Sequence, residues 1–261
     1  MLFYLMEHAD WIVTVLIVSA MVVFFVGLHY VVIRLTPSNN SENEIASIVT
    51  HLIGMLYAVL LGFIAVSAWG DFDHAAQNAK VEQNAMADLY RISSDFPSRQ
   101  RDSIQADILQ YAKLMPEQEW PAMQHGVQSP EAYTVALRII QQVNGLKPSS
   151  QYESNVQLES VTLAHSFLDA RRARLNKNDE GMPTMLWLTL LIGATIMIGF
   201  TFYLRQSNYV HQLFMTGILA ALIGLLFSLI LEFEYPFRGK LSVPSTGWTK
   251  LVENIEANQL Y

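Results

Sequence analysis

Ser47, His51, Gly54, Ala58, Gly62 and Ala65 fall on one narrow face when residues 45–69 are wound as a helix. The opposite face carries Ile45, Val49, Leu52, Leu56, Leu60 and Phe63. A small, partly polar stripe on an otherwise bulky apolar helix leaves room for water and an ion, so it can line a pore. The same spacing of Gly54, Ala58 and Gly62 is a small-xxx-small seam, which lets two helices approach closely. A third arrangement keeps the pore and lines it with the bulky face as a hydrophobic gate. All three remain open at the level of sequence.

Other side chains with chemical potential cluster near the ends of the hydrophobic stretches. His29, His51 and His211 sit toward what would be the outer ends, where imidazoles can sense pH, attract anions once protonated, or bind a transition metal. Histidines at an interface also serve simply as hydrogen-bonding groups. His51 lies about two turns inside its stretch, where an ionisable group is costly unless it meets a cavity or a partner. Asp71, Asp73, Glu232 and Glu234 fall at the inner ends. Repeated around an oligomer they could form a cation-attracting ring or an inner metal site; alone they are solvated carboxylates. Arg171, Arg172, Arg174 and Lys177 stand just before the third stretch, placed to fix topology on anionic headgroups or to concentrate anions at an inner vestibule. His165 and Asp169, one turn apart, have ligand spacing but no third partner. There is no nucleophile elbow, phosphate-binding glycine loop or His-Glu-x-x-His motif, so an enzyme is not expected, nor is a cofactor.

The elements that position these residues are four bilayer-length hydrophobic spans, Trp11–Ile33, Ile45–Trp69, Met185–Leu204 and Val210–Leu231. About 20 apolar residues suffice to cross roughly 30 Å of hydrocarbon. The chain of 261 residues is 52% hydrophobic and contains no cysteine, which rules out disulfides, thiolate catalysis and cysteine-held metals. Its formal charge of −7 argues against nucleic acid as a partner. The first ten residues carry Glu7 and Asp10 but neither Lys nor Arg, unlike a signal peptide, so the first span is expected to be retained.

With four spans, both termini and the insert share one side. That side holds all but Arg34 and Arg205 of the 16 Lys and Arg. The flanking Arg171, Arg172, Arg174, Lys177, Arg238 and Lys240 place it in the cytoplasm, and Trp11, Trp69, Trp187 and Phe233 mark the inner interface.

Between the first two spans, Pro37 with Ser38, Asn39 and Asn40 predicts a turn, and Ser41-Glu42-Asn43-Glu44 a capping box. No proline follows until Pro97, so the second span is expected to continue as one long helix with Ala85, Met86, Leu89 and Ile92 as apolar positions. Ile104, Ile108, Leu109 and Ala112 predict another amphipathic helix, and Pro116, Pro121, Gly126 and Pro130 a loop. Helical patterns resume over 133–143 and 156–175, and Arg205–Tyr209 reads as a tight hairpin. Gly217, Ala221 and Gly224 suit close packing of the fourth span.

Several segments resemble a known family. Glu82-Gln83-Asn84-Ala85-Met86 with Leu89-Tyr90-Arg91 follows the second span, Asp169-Ala170-Arg171-Arg172-Ala173-Arg174-Leu175 precedes the third, and Glu234-Tyr235-Pro236-Phe237-Arg238-Gly239 with Val243-Pro244 follows the fourth. Together, in this order, they resemble the bestrophin-like family of bacterial and plant membrane proteins. In that family the residue at Gln83 is more often Ala and that at Glu234 more often Asp. The resemblance implies the plan of bestrophin anion channels: a homopentamer, four spans, cytoplasmic termini and a pore lined by the second span. The acidic run of the animal calcium clasp is missing; Glu232 and Glu234 alone stand there.

The sequence therefore predicts an all-α membrane protein. Residues 1–70 would hold spans one and two, 71–183 a helical cytoplasmic domain, 184–232 spans three and four, and 233–261 a cytoplasmic tail. The expected function is an oligomeric ion channel of the bacterial inner membrane, anion-conducting by resemblance, with lipids, small inorganic ions and its own copies as partners. The alternative is a non-conducting scaffold or sensor whose helical domain binds another protein.

Overall fold

The computed structural model describes residues 10–36, 43–179, 181–203, 208–239 and 241–259. The turn at 37–40, the start of the capping box, part of the 205–209 hairpin and Lys240 lie outside them. Among the described residues the regular structure is entirely helical: α1 (Asp10–Leu35), α2 (Asn43–Ile92), α3 (Ser98–Leu114), α4 (Trp120–Gln124), α5 (Pro130–Asn144), α6 (Gln151–Asp179), α7 (Thr184–Thr201), α8 (Tyr209–Glu234) and α9 (Thr246–Glu256). They divide into two compact units, one running to Asp71 and from Gly181 to Glu234, the other from Phe72 to Asp179 and from Tyr235 onward.

Among the described residues, four helices, α1, α2, α7 and α8, are long and apolar enough to cross a membrane. Lipid gives apolar helices no hydrophobic reason to associate, so their contacts depend on close fit. Gly224 of α8 supplies one such contact: a Cβ there would come within 3.1 Å of the Val18 Cα on α1. Gly217, two turns earlier, faces Val22 and Val26. Gly193 of α7 supplies another, because the ring of Tyr57 lies where its Cβ would be, 2.6 Å away. The Tyr57 hydroxyl then donates to the Leu190 carbonyl at 3.1 Å, which satisfies the phenol inside an apolar contact.

α2 runs through 50 residues without a break, as the absence of proline predicts. Its buried positions recur in sevens: Leu61, Ala68, Ala75, Glu82 and Leu89 form one line, with Tyr57, Ile64, Ala79 and Met86 beside it. A seven-residue repeat is the coiled-coil period, which keeps a single face of a long helix against its neighbours. Within the second unit this face packs on Ile104, Ile108 and Ala112 of α3 and on Ala164 and Phe167 of α6 as part of one core.

Two expectations are corrected in that unit. Pro116 does not begin a loop: the chain passes through a π turn, Met115–Glu119, into α4. The wider turn accommodates a residue without an N–H and swings Glu119 inward. The loop starts at Gly126, whose φ of +75° suits glycine. It ends where the Ser129 hydroxyl accepts from the Ala132 N–H to cap α5. Residues after 234 are not a separate tail either. Trp248, Leu251 and Ile255 of α9 lie in the core, and the Trp120 indole N–H donates to the Val243 carbonyl at 2.8 Å.

Gly193→Val forces a branched side chain into the Tyr57 ring and should cost about 1–3 kcal/mol by overpacking. Thermal unfolding in detergent checks this: the variant melts earlier, and adding Tyr57→Ala recovers part of the loss.

Candidate functional site

In the membrane part of α2, Tyr57, Leu61, Ile64 and Ala68 are the buried face. The stripe Ser47, His51, Gly54, Ala58, Gly62 and Ala65 lies roughly a quarter turn round the helix from it. His51, Ala58 and Gly62 are exposed in the chain, and Ser47, Gly54 and Ala65 are half-buried. Of the two glycines of the seam, Gly54 meets a neighbouring helix, with Met197 Cε at ordinary contact distance, 3.5 Å, from a Cβ built there; around Gly62 there is open space within the chain. On the other flank Leu52, Leu56 and Phe63 are exposed, and Val49 and Leu60 half-buried; the side chain of Ile45 is outside the described set. Directly opposite the buried face stand Ile48, Met55, Val59 and Val66, all exposed, a surface the wheel alone did not single out.

The three histidines do not share an environment. His51 Nδ1 donates to the Ser47 carbonyl at 2.7 Å and its ring is exposed, as is His211. His29 is fully buried, with Nδ1 2.8 Å from Thr216 Oγ1 and Nε2 3.0 Å from Gln212 Nε2. Both of its nitrogens are thus engaged, which removes it as a metal ligand. Among the described residues no three His, Asp or Glu converge as a metal site, and this extends to His165 and Asp169.

The inner-end acids also differ from one another. Asp71 and Asp73 are exposed, and Asp73 accepts from Gln77 at 2.6 Å. Glu232 is half-buried. Glu234 is buried, and its carboxylate accepts the Met182 backbone N–H at 2.6 Å and the Trp187 indole N–H at 3.0 Å. It therefore ties the start of α7 to the end of α8 instead of presenting a charge to a rim. The physical reason is that the oxygens of a buried carboxylate need donors, and these two N–H groups supply them.

Arg171 and Arg174 require the larger correction. They are 3% and 0% exposed, spaced i,i+3 on the inward face of α6 beside Ala164, Phe167 and Ala170. Arg174 grips Glu82 in a fork, Nε to Oε2 at 2.5 Å and Nη2 to Oε1 at 3.0 Å, and Nη2 reaches Glu119 Oε1 at 3.2 Å. Arg171 Nη1 donates to Glu119 Oε1 at 2.9 Å and to the Tyr111 hydroxyl at 2.7 Å, while Tyr111 donates to Glu82 Oε1 at 2.5 Å. The Trp120 ring lies 5.0 Å from the Arg174 guanidinium. Two acids and two bases make the cluster neutral, the condition under which buried charge is tolerated. Arg172 alone of the three arginines is exposed, facing Asp169 at 3.5 Å.

Glu82, Glu119 and Tyr111 were not singled out as site residues. A signal for Glu82 was present: an acid on the seven-residue apolar line of α2 must meet a base. Glu119 had none, because its inward turn depends on the π turn. Burial first, then Glu82, holds the Tyr111 phenol well above its ordinary value. Burial alone would lower the Arg174 guanidinium, but Glu82, Tyr111 and Glu119 outweigh it and keep it above the usual range.

Arg171 Nε and Nη2 find no hydrogen-bond acceptor among the described residues, whereas Arg174 uses every guanidinium nitrogen. Arg174→Lys should therefore cost clearly more stability than Arg171→Lys. Arg174→Leu, which strands Glu82, should cost about 3–5 kcal/mol, much of it restored by adding Glu82→Met. Chemical denaturation of the four variants decides this. Because the Tyr111 phenol is raised, the folded state keeps its proton where the unfolded chain loses it. Stability should be unaffected below the ordinary tyrosine value of 10.0 and fall above it, and Tyr111→Phe should flatten that fall.

A Bestrophin-like domain model matches residues 19–247. Among solved structures, a bacterial Bestrophin homologue from Klebsiella pneumoniae carrying a tyrosine-to-alanine substitution shares the fold with a TM-score of 0.68 at 13% identity, over 97% of this chain and 99% of that one. The same organism's homologue phased by zinc anomalous scattering gives 0.67 at 13%, over 95% and 97%. A membrane protein with a glycine-to-alanine substitution gives 0.71 at 12%, over 94% and 98%. The sequence matches none of the curated proteins. The segments that meet in the buried cluster, around Glu82 and around Arg171 and Arg174, are those that carried the resemblance, and the domain match extends over most of the chain: it belongs to the Bestrophin-like family of membrane proteins.

Proposed function

We propose that this protein is an ion channel of the bacterial inner membrane, built as a ring of identical chains, five by the plan of its family, with α2 lining the pore. The observation that carries this reading is the division of α2 into a face packed on its own chain and broad faces with no neighbour in it. A lone four-helix membrane unit encloses no path, so a ring is the arrangement in which such faces surround one. Family membership and the bestrophin fold of the solved neighbours support the same plan.

The small stripe from Ser47 to Ala65 lines the path in this reading, with His51 toward the outer mouth. Exposed Arg172 lies on the cytoplasmic side with both termini. Anions are the conducted class, by analogy with bestrophin channels. The exposed acids Asp71 and Asp73 set a limit on that preference, and flux under chloride and potassium gradients measures it.

Ala58→Trp should reduce ion flux from proteoliposomes at least tenfold while the oligomer, measured by size-exclusion chromatography with light scattering, stays intact. Undiminished flux in an intact oligomer would remove the stripe from the pore. Increased flux in Phe63→Ala would then assign the lining to the bulky face. Absence of flux in either gradient from folded wild-type protein would instead favour a scaffold or sensor that binds a partner through residues 71–183.

A further inference from the structure

On the part of α2 that carries the small stripe, residues 47–65, only His51 and Tyr57 have ionisable side chains. Tyr57 is buried and tied to the Leu190 carbonyl. His51 is exposed, and the atom it meets settles its chemistry: Nδ1 lies 2.7 Å from the Ser47 carbonyl oxygen. A carbonyl only accepts, so Nδ1 carries the hydrogen, and in the neutral ring Nε2 is left with a lone pair. The bond to Ser47 is the one hydrogen bond that His51 makes, so that lone pair is not taken up within the chain.

Imidazoles that bind metals are held in this way. The other ring nitrogen donates to a carbonyl, which fixes the tautomer, sets the orientation of the ring and makes the ligating nitrogen more basic. Here the carbonyl lies four residues back on the same helix, and Gly54, three positions on, has no side chain to crowd the ring. One imidazole alone is a weak ligand, and the chain does not supply others: among the described residues no three His, Asp or Glu converge. A closed ring of identical chains supplies them, because its symmetry brings every His51 to the same depth around one axis.

We propose that His51 side chains of neighbouring copies together bind one divalent transition-metal ion through Nε2, toward the outer end of α2. This rests on the ring of chains inferred above. The ligand atoms select the class of ion. Imidazole nitrogen suits zinc, copper and nickel, whereas calcium and magnesium require oxygen, and no acid stands on α2 from Ser47 to Gly70. Two or more imidazoles hold the ion, and water fills its remaining positions. With no carboxylate in the site, the bound ion keeps its full charge.

The test uses Cu2+, added at less than one ion per oligomer to the purified chain in nanodiscs, with the oligomer verified by light scattering. Electron spin echo spectroscopy detects the far nitrogen of each coordinated imidazole, here the Nδ1 bonded to Ser47, and so counts the imidazoles on one ion. The expected result is two or more imidazoles in the wild type. In His51→Gln they should be lost, with copper binding at least about tenfold weaker. His51→Cys decides the matter if His51→Gln does not assemble. The chain has no other cysteine, so Cd2+ should then show the ultraviolet absorption of several thiolates on one ion. A single imidazole per copper in an intact oligomer overturns the site and leaves the ring of chains standing, as does a signal unchanged in His51→Gln. A monomer by light scattering overturns both.

Discussion

A charge taken out of water must be answered within a few ångströms or it costs several kcal/mol, and this requirement governs how the chain is put together. Glu82 lies on the apolar line of α2, so a base must meet it there, and Arg174 does so with a two-point grip. Arg174 is itself buried and needs a second acid, which the π turn supplies as Glu119. Glu119 then draws in Arg171 and accepts the Ser129 backbone N–H at 2.8 Å, and with that the start of α5 is set. α2, α3, the π turn and α6 are all held in register by one neutral group of four charges. Replacing the group with hydrocarbon would preserve packing but remove the demand that these helices meet in only one way.

The membrane unit answers a related demand with different means. Lipid cannot hydrogen-bond, so the Tyr57 hydroxyl, the His29 ring and the Glu234 carboxylate each find a partner on another segment of the chain. These polar points coincide with the contacts that small residues permit. Gly193 admits Tyr57, and Gly217 and Gly224 admit the valines of α1. Apolar side chains elsewhere on α1 and α2 are left outward in number, including Phe24, Met55, Leu56 and Phe63.

Much of this was legible in the sequence because hydrophobic length and proline placement are local properties. The four spans, the unbroken α2 and the positions of α3, α5 and α6 follow from them. What could not be read was pairing across the chain. Arg171 and Arg174 look like a topological signal when viewed beside Arg172 and Lys177. Their burial is decided by Glu82 and Glu119, 92 and 55 positions from Arg174. Glu234 was taken for a rim charge for the same reason: its donors, Met182 and Trp187, stand just before and within α7. Pro116 misled in a different way, since a proline that normally ends a helix can be carried by a π turn.

The seven-residue line along α2 also bears on how members of this family can diverge in length. Each residue added to a helix turns everything beyond it by about 100°. A single insertion between Ala75 and Glu82 would point the acid away from its arginines while leaving Ala75 in the core. Seven inserted residues make nearly two whole turns and restore the phase to within about 20°. Length variation in this stretch of the helix is thereby quantised: relatives should differ there by heptads or not at all.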